Sequence, residues 1–295
     1  MREYGTWPMH AKFFDYRQPL FHHLHLSDDA AGRLGWPGKP EAYYYPVQLN
    51  NYPGDFPLTY FGFDPTVTRE MVRERLQDWD NRDVRITELS RAYRIELGTG
   101  WYTPPGVLHA PGSYLTYEPQ WNSLVGAVFE NISSGEINSS ESLARSLAEE
   151  DRHNLDSVLG LLDWEKNVDP QYRAHYFRPP CPIPTGDPRW AEKWITYANP
   201  YFSAKELAIQ PRQQVIVKDS AAYGCVVIQG HGKIGPHAVE APGLLRYGQP
   251  SADEFFISEA AAQAGVVIKN ESLWEPLVIL KHFGPNNPDA PQEVN

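Results

Sequence analysis

Cysteine is scarce: Cys181 and Cys225 are the only two in 295 residues. That excludes a disulfide framework and any CxxC metal site, and it suits a reducing cytoplasm. Long apolar runs are missing as well. No window approaches the roughly eighteen uncharged apolar residues of a membrane span. The opening residues, Met1-Arg2-Glu3-Tyr4, lack the apolar stretch of a signal peptide. Positive charge is in deficit: 26 Lys and Arg face 37 Asp and Glu, for a formal charge of -11. A net acidic surface argues against a nucleic-acid backbone as the main partner, although a local pocket can still be basic.

What remains points to a globular β protein. The 22 Gly and 27 Pro make about one residue in six, heavy for a helical bundle and suited to short strands joined by turns. Apolar residues at 41%, with nine Trp and seventeen Tyr, can bury a sizeable core. The length suggests two domains or one large one.

Extended runs are expected at Lys12–Tyr16, Leu20–Leu26, Ala42–Leu49, Val84–Leu89, Arg91–Leu97, Ser113–Tyr117 and Val125–Asn131. Asp28–Gly35 reads as a short helix capped near Ser27, and Thr68–Trp79 as a longer one capped by Thr68. From about 134 to 168 the chain turns polar and helical, which suits a connector. Strand runs return at Val215–Val217, Cys225–Gln229, Glu254–Ser258, Gly265–Asn270 and Leu277–His282. Pro285–Asn295 reads as a loose tail. The layout is two β units, 1–133 and 169–295, joined by a helical connector at 134–168.

His23-Leu24-His25 is the sharpest local signal. Residues i and i+2 of a strand share a face, so both imidazoles project together. By the same rule Lys39 and Glu41 of Gly38-Lys39-Pro40-Glu41 share a face. Pro40 restricts that piece to a sheet edge or a strand start. A third piece runs from Gly98 to His109 and contains the ungapped pattern G-x5-P-x-G-x-x-H. His23, His25, Glu41 and His109 form a mixed nitrogen and oxygen set suited to Zn, Mn, Fe or Ni. Each piece alone has an ordinary explanation; the three in order, on expected strands, point to a metal site.

Those residues resemble the cupin superfamily, whose second motif is the G-x5-P-x-G-x-x-H pattern. More narrowly, residues 7–130 are similar to type I phosphomannose isomerases. In that family P-L-x-x-K-x-x-D-x-x-x-x-L-S-x-Q-V-H-P-D-D leads into G-K-x-E. Here the counterparts are Pro8 to Asp29 and then Gly38 to Glu41. The resemblance implies two cupin-like jelly-roll barrels, the first binding one divalent ion through His23, His25, Glu41 and His109. Zinc is the family's ion. The chain departs from the family in two places. His23 stands where the family has Gln, and Gln120–Ala127 lacks the family's Arg, which puts a phosphorylated substrate in doubt. In the second unit Ile268 takes the place of the motif His, so that unit is expected to be metal-free.

An aldose–ketose isomerase moves a proton between adjacent carbons through an enediol. It needs a cation to hold the developing oxyanion and a base within reach. Lys39, Lys12, Glu118 and His22 are the candidates for proton transfer. Tyr43, Trp101, Tyr102 and Trp121 are the candidates to line a sugar pocket. The expected partner is a small carbohydrate, with no nucleic acid and no membrane, and exposed β edges leave room for a homodimer. The same ligand set also serves a cupin oxygenase or lyase using Fe or Mn, and a sugar-binding cupin without turnover.

Overall fold

The structure is a computed structural model that describes residues 5, 7–52, 54–242 and 251–294. The N-terminal half carries strands β1 (Met9–Phe14), β2 (His23–His25), β3 (Glu41–Tyr44), β4 (Leu58–Phe63), β5 (Ser90–Arg94), β6 (Gly100–Thr103), β7 (His109–Ala110), β8 (Thr116–Trp121) and β9 (Gly126–Val128). A hairpin of β10 (Ile132–Ser133) and β11 (Glu136–Ile137) follows, and β12 (Phe177–Arg178) completes the set. One sheet has the order β5-β4-β7-β2-β9 and the other β1-β8-β3-β6-β12. The expected helix caps form. Ser27 accepts from the Ala30 amide to start α1 (Asp28–Gly32), and Thr68 accepts from Met71 to start α2 (Arg69–Leu76).

Alternation along β2 sends Leu24 to one side of its sheet and the two histidines to the other. Leu24, Leu26, Leu108 and Phe129 join Val72 and Leu76 of α2 in one core, together with Leu143, Val158, Leu159 and Leu162. The last four come from the polar, helical stretch: α3 (Glu141–Ala144), α4 (Leu155–Leu159) and the turn after it. Two further helices, α5 (Trp164–Asn167) and α6 (Tyr172–Tyr176), lead to β12. The stretch after 168 thus stays with the first pair of sheets, because Phe177 and Arg178 pair with Trp101 and Gly100.

The C-terminal half forms a second pair of sheets. Its strands are β13 (Cys181–Ile183), β14 (Trp190–Thr196), β15 (Ser203–Ile209), β16 (Gln214–Val217), β17 (Tyr223–Gln229), β18 (His231–Ile234), β19 (His237–Glu240), β20 (Glu254–Ile257), β21 (Val266–Asn270) and β22 (Leu277–Phe283). They pair as β13-β14-β15-β22-β17-β20 and β16-β21-β18-β19, and α7 (Glu259–Ala264) precedes β21. Ile268 is buried in the core between these sheets, with Trp194, Leu207, Val227 and Ile279. The same interior holds four buried charges. Lys205 and Lys281 each reach both Glu192 and Asp219, with Lys205 2.6 Å and Lys281 2.7 Å from Asp219.

Several expectations change. Val84–Leu89 is not a strand: Arg85 sits in the left-handed region at φ 49 and a single 3-10 turn spans Ile86–Glu88. Asp83 and Asn131 take the Arg85 and Val84 amides that a ladder would have used. Strands β14 and β15 escaped the sequence reading because Glu192, Lys193, Lys205 and Glu206 interrupt their apolar pattern. The tail is not loose. The Asp289 carboxylate accepts from the Ser220 amide and hydroxyl, and the Pro291 carbonyl accepts from Ala198. Among the described residues, no helix is long and apolar enough to cross a membrane.

The two halves meet sheet to sheet. Tyr44, Tyr117, Ile195, Ala204, Val278 and Leu280 form a buried cluster between them. Burying one such aliphatic side chain stabilises by roughly 1.5–3 kcal/mol. Two polar contacts fix the register: Tyr44 donates to Glu206 at 2.5 Å, and the Tyr117 hydroxyl is hydrogen-bonded to His282 Nδ1 at 2.9 Å. Burial lowers the His282 pKa to about 4. The unfolded chain therefore takes up its proton first as pH falls below 6.5, and this group contributes a loss of stability between pH 6.5 and about 4. The loss is about 3 kcal/mol at most, at 1.36 per pKa unit. In urea unfolding at stepped pH, His282→Gln should flatten the slope in that window by about one proton. An unchanged slope would place the acid sensitivity elsewhere.

Candidate metal centre

His23 and His25 project from β2 into the space between the first two sheets. His109 on β7 is the direct cross-strand partner of His23, with ring centroids 4.3 Å apart. Glu41 opens β3 in the facing sheet. One ligand atom from each of the four residues lies within 4.8 Å of all the others.

Local structure aims these atoms. The Nδ1 of His23 is 2.7 Å from the Phe21 carbonyl, that of His109 2.8 Å from Val107, and that of His25 3.2 Å from Val125. A carbonyl only accepts, so each Nδ1 carries the proton and each Nε2 offers a lone pair. The glycine of the P-x-G turn adjusts the loop before His109. Gly106 takes φ +79, and its amide donates to the His25 carbonyl at 2.7 Å. Asn167 of α5 locks the same turn. Its amide donates to the Gly106 carbonyl and its Oδ1 accepts from Leu108, at 2.7 and 2.9 Å.

The result is unfavourable without a cation. His25 Nε2 lies 2.9 Å and His109 Nε2 3.0 Å from the two oxygens of Glu41. Two lone-pair acceptors at that separation repel. Glu41 Oε1 and His109 Nε2 are buried without a hydrogen-bond partner, and Glu41 Oε2 has the Lys39 ammonium 3.2 Å away. A cation between them answers every one of these atoms, and three imidazole nitrogens with one carboxylate suit Zn, Mn, Fe or Ni. The protonation states agree. Burial holds His23 well below the ordinary range and His25 at about 4, so both are neutral at pH 7. Burial pushes the Glu41 carboxyl up, but the polar and charged groups that face it outweigh burial and hold it well below the carboxylate range. Neutral imidazoles and an ionised carboxylate are the forms that bind metal.

The residues expected to transfer protons stand beside this cluster. Lys39 Nζ is 2.9 Å from His25 Nε2 and 3.2 Å from Glu41. Lys12 on β1 lies 3.0 Å from Glu118, its cross-strand partner on β8. Burial and the charge of Glu41 push the Glu118 carboxyl up to about 8, against the pull of Lys12 and Lys39. A divalent ion on Glu41 would cancel that repulsion and favour the ionised form.

The other expected residues divide. Tyr43 faces the cluster, its ring 6.2 Å from His109, and burial followed by Glu41 pushes its hydroxyl pKa well up. Trp101 shares that face but lies deeper, 1% exposed and stacked 4.9 Å from Phe61. It is a core residue. Tyr102 and Trp121 are not in the metal pocket, because strand alternation turns both to the opposite face of their sheet. Tyr102 lies beside Arg178 and Tyr176. Trp121 borders a separate cleft of about 600 Å³ with Asp28 and Tyr201. His22 also points away: its Nδ1 bonds Glu130 at 2.9 Å on the outer side of β2. Asn167 escaped the sequence reading because its partners are about sixty residues away and no motif marks it.

Two variants test this centre. His25→Ala should lose bound metal by elemental analysis of the purified protein, and unchanged metal content would defeat the ligand assignment. Asn167→Ala leaves the buried Leu108 amide unpaired, at about 1–3 kcal/mol, and removes one of the two donors to the Gly106 carbonyl, which keeps the Asp163 amide. It should lower both the melting temperature and metal retention against a chelator. Retention equal to wild type would show that the clamp does not position His109.

No protein-family model matches the chain, and no curated protein matches it. Solved structures do. Mannose 6-phosphate isomerase from Bacillus subtilis superimposes with a TM-score of 0.61 at 18% identity, over 94% of this chain and 75% of that one. A putative mannosephosphate isomerase from Archaeoglobus fulgidus gives 0.61 at 15% identity, over 96% and 74%. A zinc-bound mannose 6-phosphate isomerase gives 0.59 at 10% identity, over 96% and 80%. On this evidence of three-dimensional likeness, the chain has the fold of the mannose 6-phosphate isomerases.

Proposed function

We propose that the protein is a metal-dependent aldose–ketose isomerase of the phosphomannose isomerase type, acting on a hexose or a sugar phosphate through an enediol. The observation that carries this reading is the meeting of four metal-binding side chains with Lys39, Lys12 and Glu118 on the inner faces of one pair of sheets. In this reading the two pairs of sheets are cupin-like barrels, the first holding the chemistry and the second metal-free. Zinc is the favoured ion, with manganese, iron and nickel open to the same donors. The setting is cytoplasmic.

The ion would be held by His23, His25, Glu41 and His109, and when bound it supplies a positive charge that stabilises an oxyanion at the sugar carbonyl. Lys39, against His25 and Glu41, would carry the proton between adjacent carbons. Glu118 stands 4.0 Å from Lys39 and can take or return that proton. Lys12 holds Glu118 from the other side. Tyr43, packed beside His109, closes the inner wall and helps to exclude water.

The metal-loaded protein should isomerise at least one member of a panel of aldoses and their 6-phosphates. In deuterated water the product should carry deuterium at the carbon next to the carbonyl. Lys39→Met should lower kcat by about 10²–10⁴ with metal content retained, the usual contribution of a positioned acid–base group. Oxygen uptake by the iron-loaded protein would replace the isomerase with an oxygenase. Sugar binding with no turnover by any metal form would leave a binding protein.

A further inference from the structure

One row of side chains crosses four strands beside the metal ligands. His10 on β1 pairs with Gln120 on β8, Gln120 with Glu41 on β3, and Glu41 with Thr103 on β6. Direct cross-strand partners share a face, so all four lie on the face that carries Glu41. Gln120 is 4% exposed and Thr103 1% exposed. Gln120 Oε1 and Thr103 Oγ1 are nonetheless without a hydrogen-bond partner. The Gln120 amide nitrogen is engaged by His10, the part-exposed member of the row. A metal on Glu41 satisfies Glu41 and leaves the two neighbours of Glu41 unanswered. Buried polar atoms in a native protein have partners, so these two, flanking Glu41 on the ligand-bearing face, can take theirs from a bound molecule.

The chemistry of that molecule follows from the groups around the row. A hydroxyl donates and accepts, so vicinal hydroxyls can answer Gln120 and Thr103 together. A phosphate dianion brings acceptors alone. Among the described residues beside the row, Lys12 is held by Glu118 at 3.0 Å, and Lys39 is buried against the metal ligands His25 and Glu41. Arg91, Arg145 and Arg178, also in the first half, donate to main-chain carbonyls.

Resting on the isomerase reading above, we propose that Gln120 and Thr103 bind hydroxyl groups of the substrate, and that this substrate is an unphosphorylated sugar. Their neighbours then make sense as a wall for a neutral polyol, with the metal ligands at its centre.

The test uses hexitols, which carry the hydroxyls but cannot isomerise. Zinc-loaded protein is titrated by calorimetry with mannitol, sorbitol and their 6-phosphates. Wild type should bind a free hexitol at least as tightly as its phosphate. Gln120→Leu and Thr103→Val should each weaken that binding at least tenfold. Metal content should stay the same, and thermal stability should hold or rise in Thr103→Val, which removes an unpartnered buried atom, while Gln120→Leu also gives up the contact to His10. Tenfold tighter binding of the phosphate would overturn the proposal, as would hexitol affinity indifferent to both variants or no hexitol binding at all. The isomerase reading falls separately: variant-sensitive hexitol binding without turnover of any aldose would remove the enzyme and keep the subsite.

Discussion

Four electron-pair donors are forced together in the first half of the molecule, and much of the architecture there serves to hold them. Three backbone carbonyls, from Phe21, Val107 and Val125, fix the imidazole tautomers so that the nitrogens facing one another all lack protons. Glu41 meets them from the opposite sheet. Such a cluster is repulsive alone and strongly attractive to a cation, so the surrounding structure must supply the rigidity. The Gly106 turn, the Asn167 clamp and the leucine-rich core behind Leu24 supply it.

The helical stretch therefore does more than connect. Its leucines cover the outer face of the sheet that presents the histidines, and its Asn167 reaches through to the turn before His109. Its last residues become an edge strand of the facing sheet. The C-terminal half contributes differently. It backs the sheet that presents Glu41 and Lys12, through an apolar cluster crossed by the Tyr44–Glu206 and Tyr117–His282 contacts. Its interior is closed by two lysines and two carboxylates that neutralise one another. Each sheet of the half that holds the four-residue cluster is thus stiffened from outside, one by helices and one by the second half.

Legibility from sequence varied with the range of the interaction. His23 and His25 could be read because strand alternation is a local rule, and His109 because its turn needs proline and glycine at set positions. The caps at Ser27 and Thr68 are equally local. Val84–Leu89 failed because its apolar residues are strand-like, while distant Asn131 and neighbouring Asp83 claim its amides. Strands β14 and β15 failed because their inward charges pair with Asp219 and Lys281 on other segments. Tyr102 and Trp121 were misplaced because aromatic character says nothing about which face a strand turns to the site.

The order of residues alone determined the candidate metal donors on β2 and β7, since i, i+2 spacing and a turn motif act within a few residues. It also determined the mainly β character, through composition and turn frequency. Only folding decided which side chains surround the candidate metal cluster. Cross-strand register sets Gln120 and Thr103 on either side of Glu41, from positions 79 and 62 residues along the chain. Register is a property of paired backbones, and no pattern along a single strand encodes its partner. The scarcity of cysteine left histidine and carboxylate as the available ligands, and the sheets determined which of them meet.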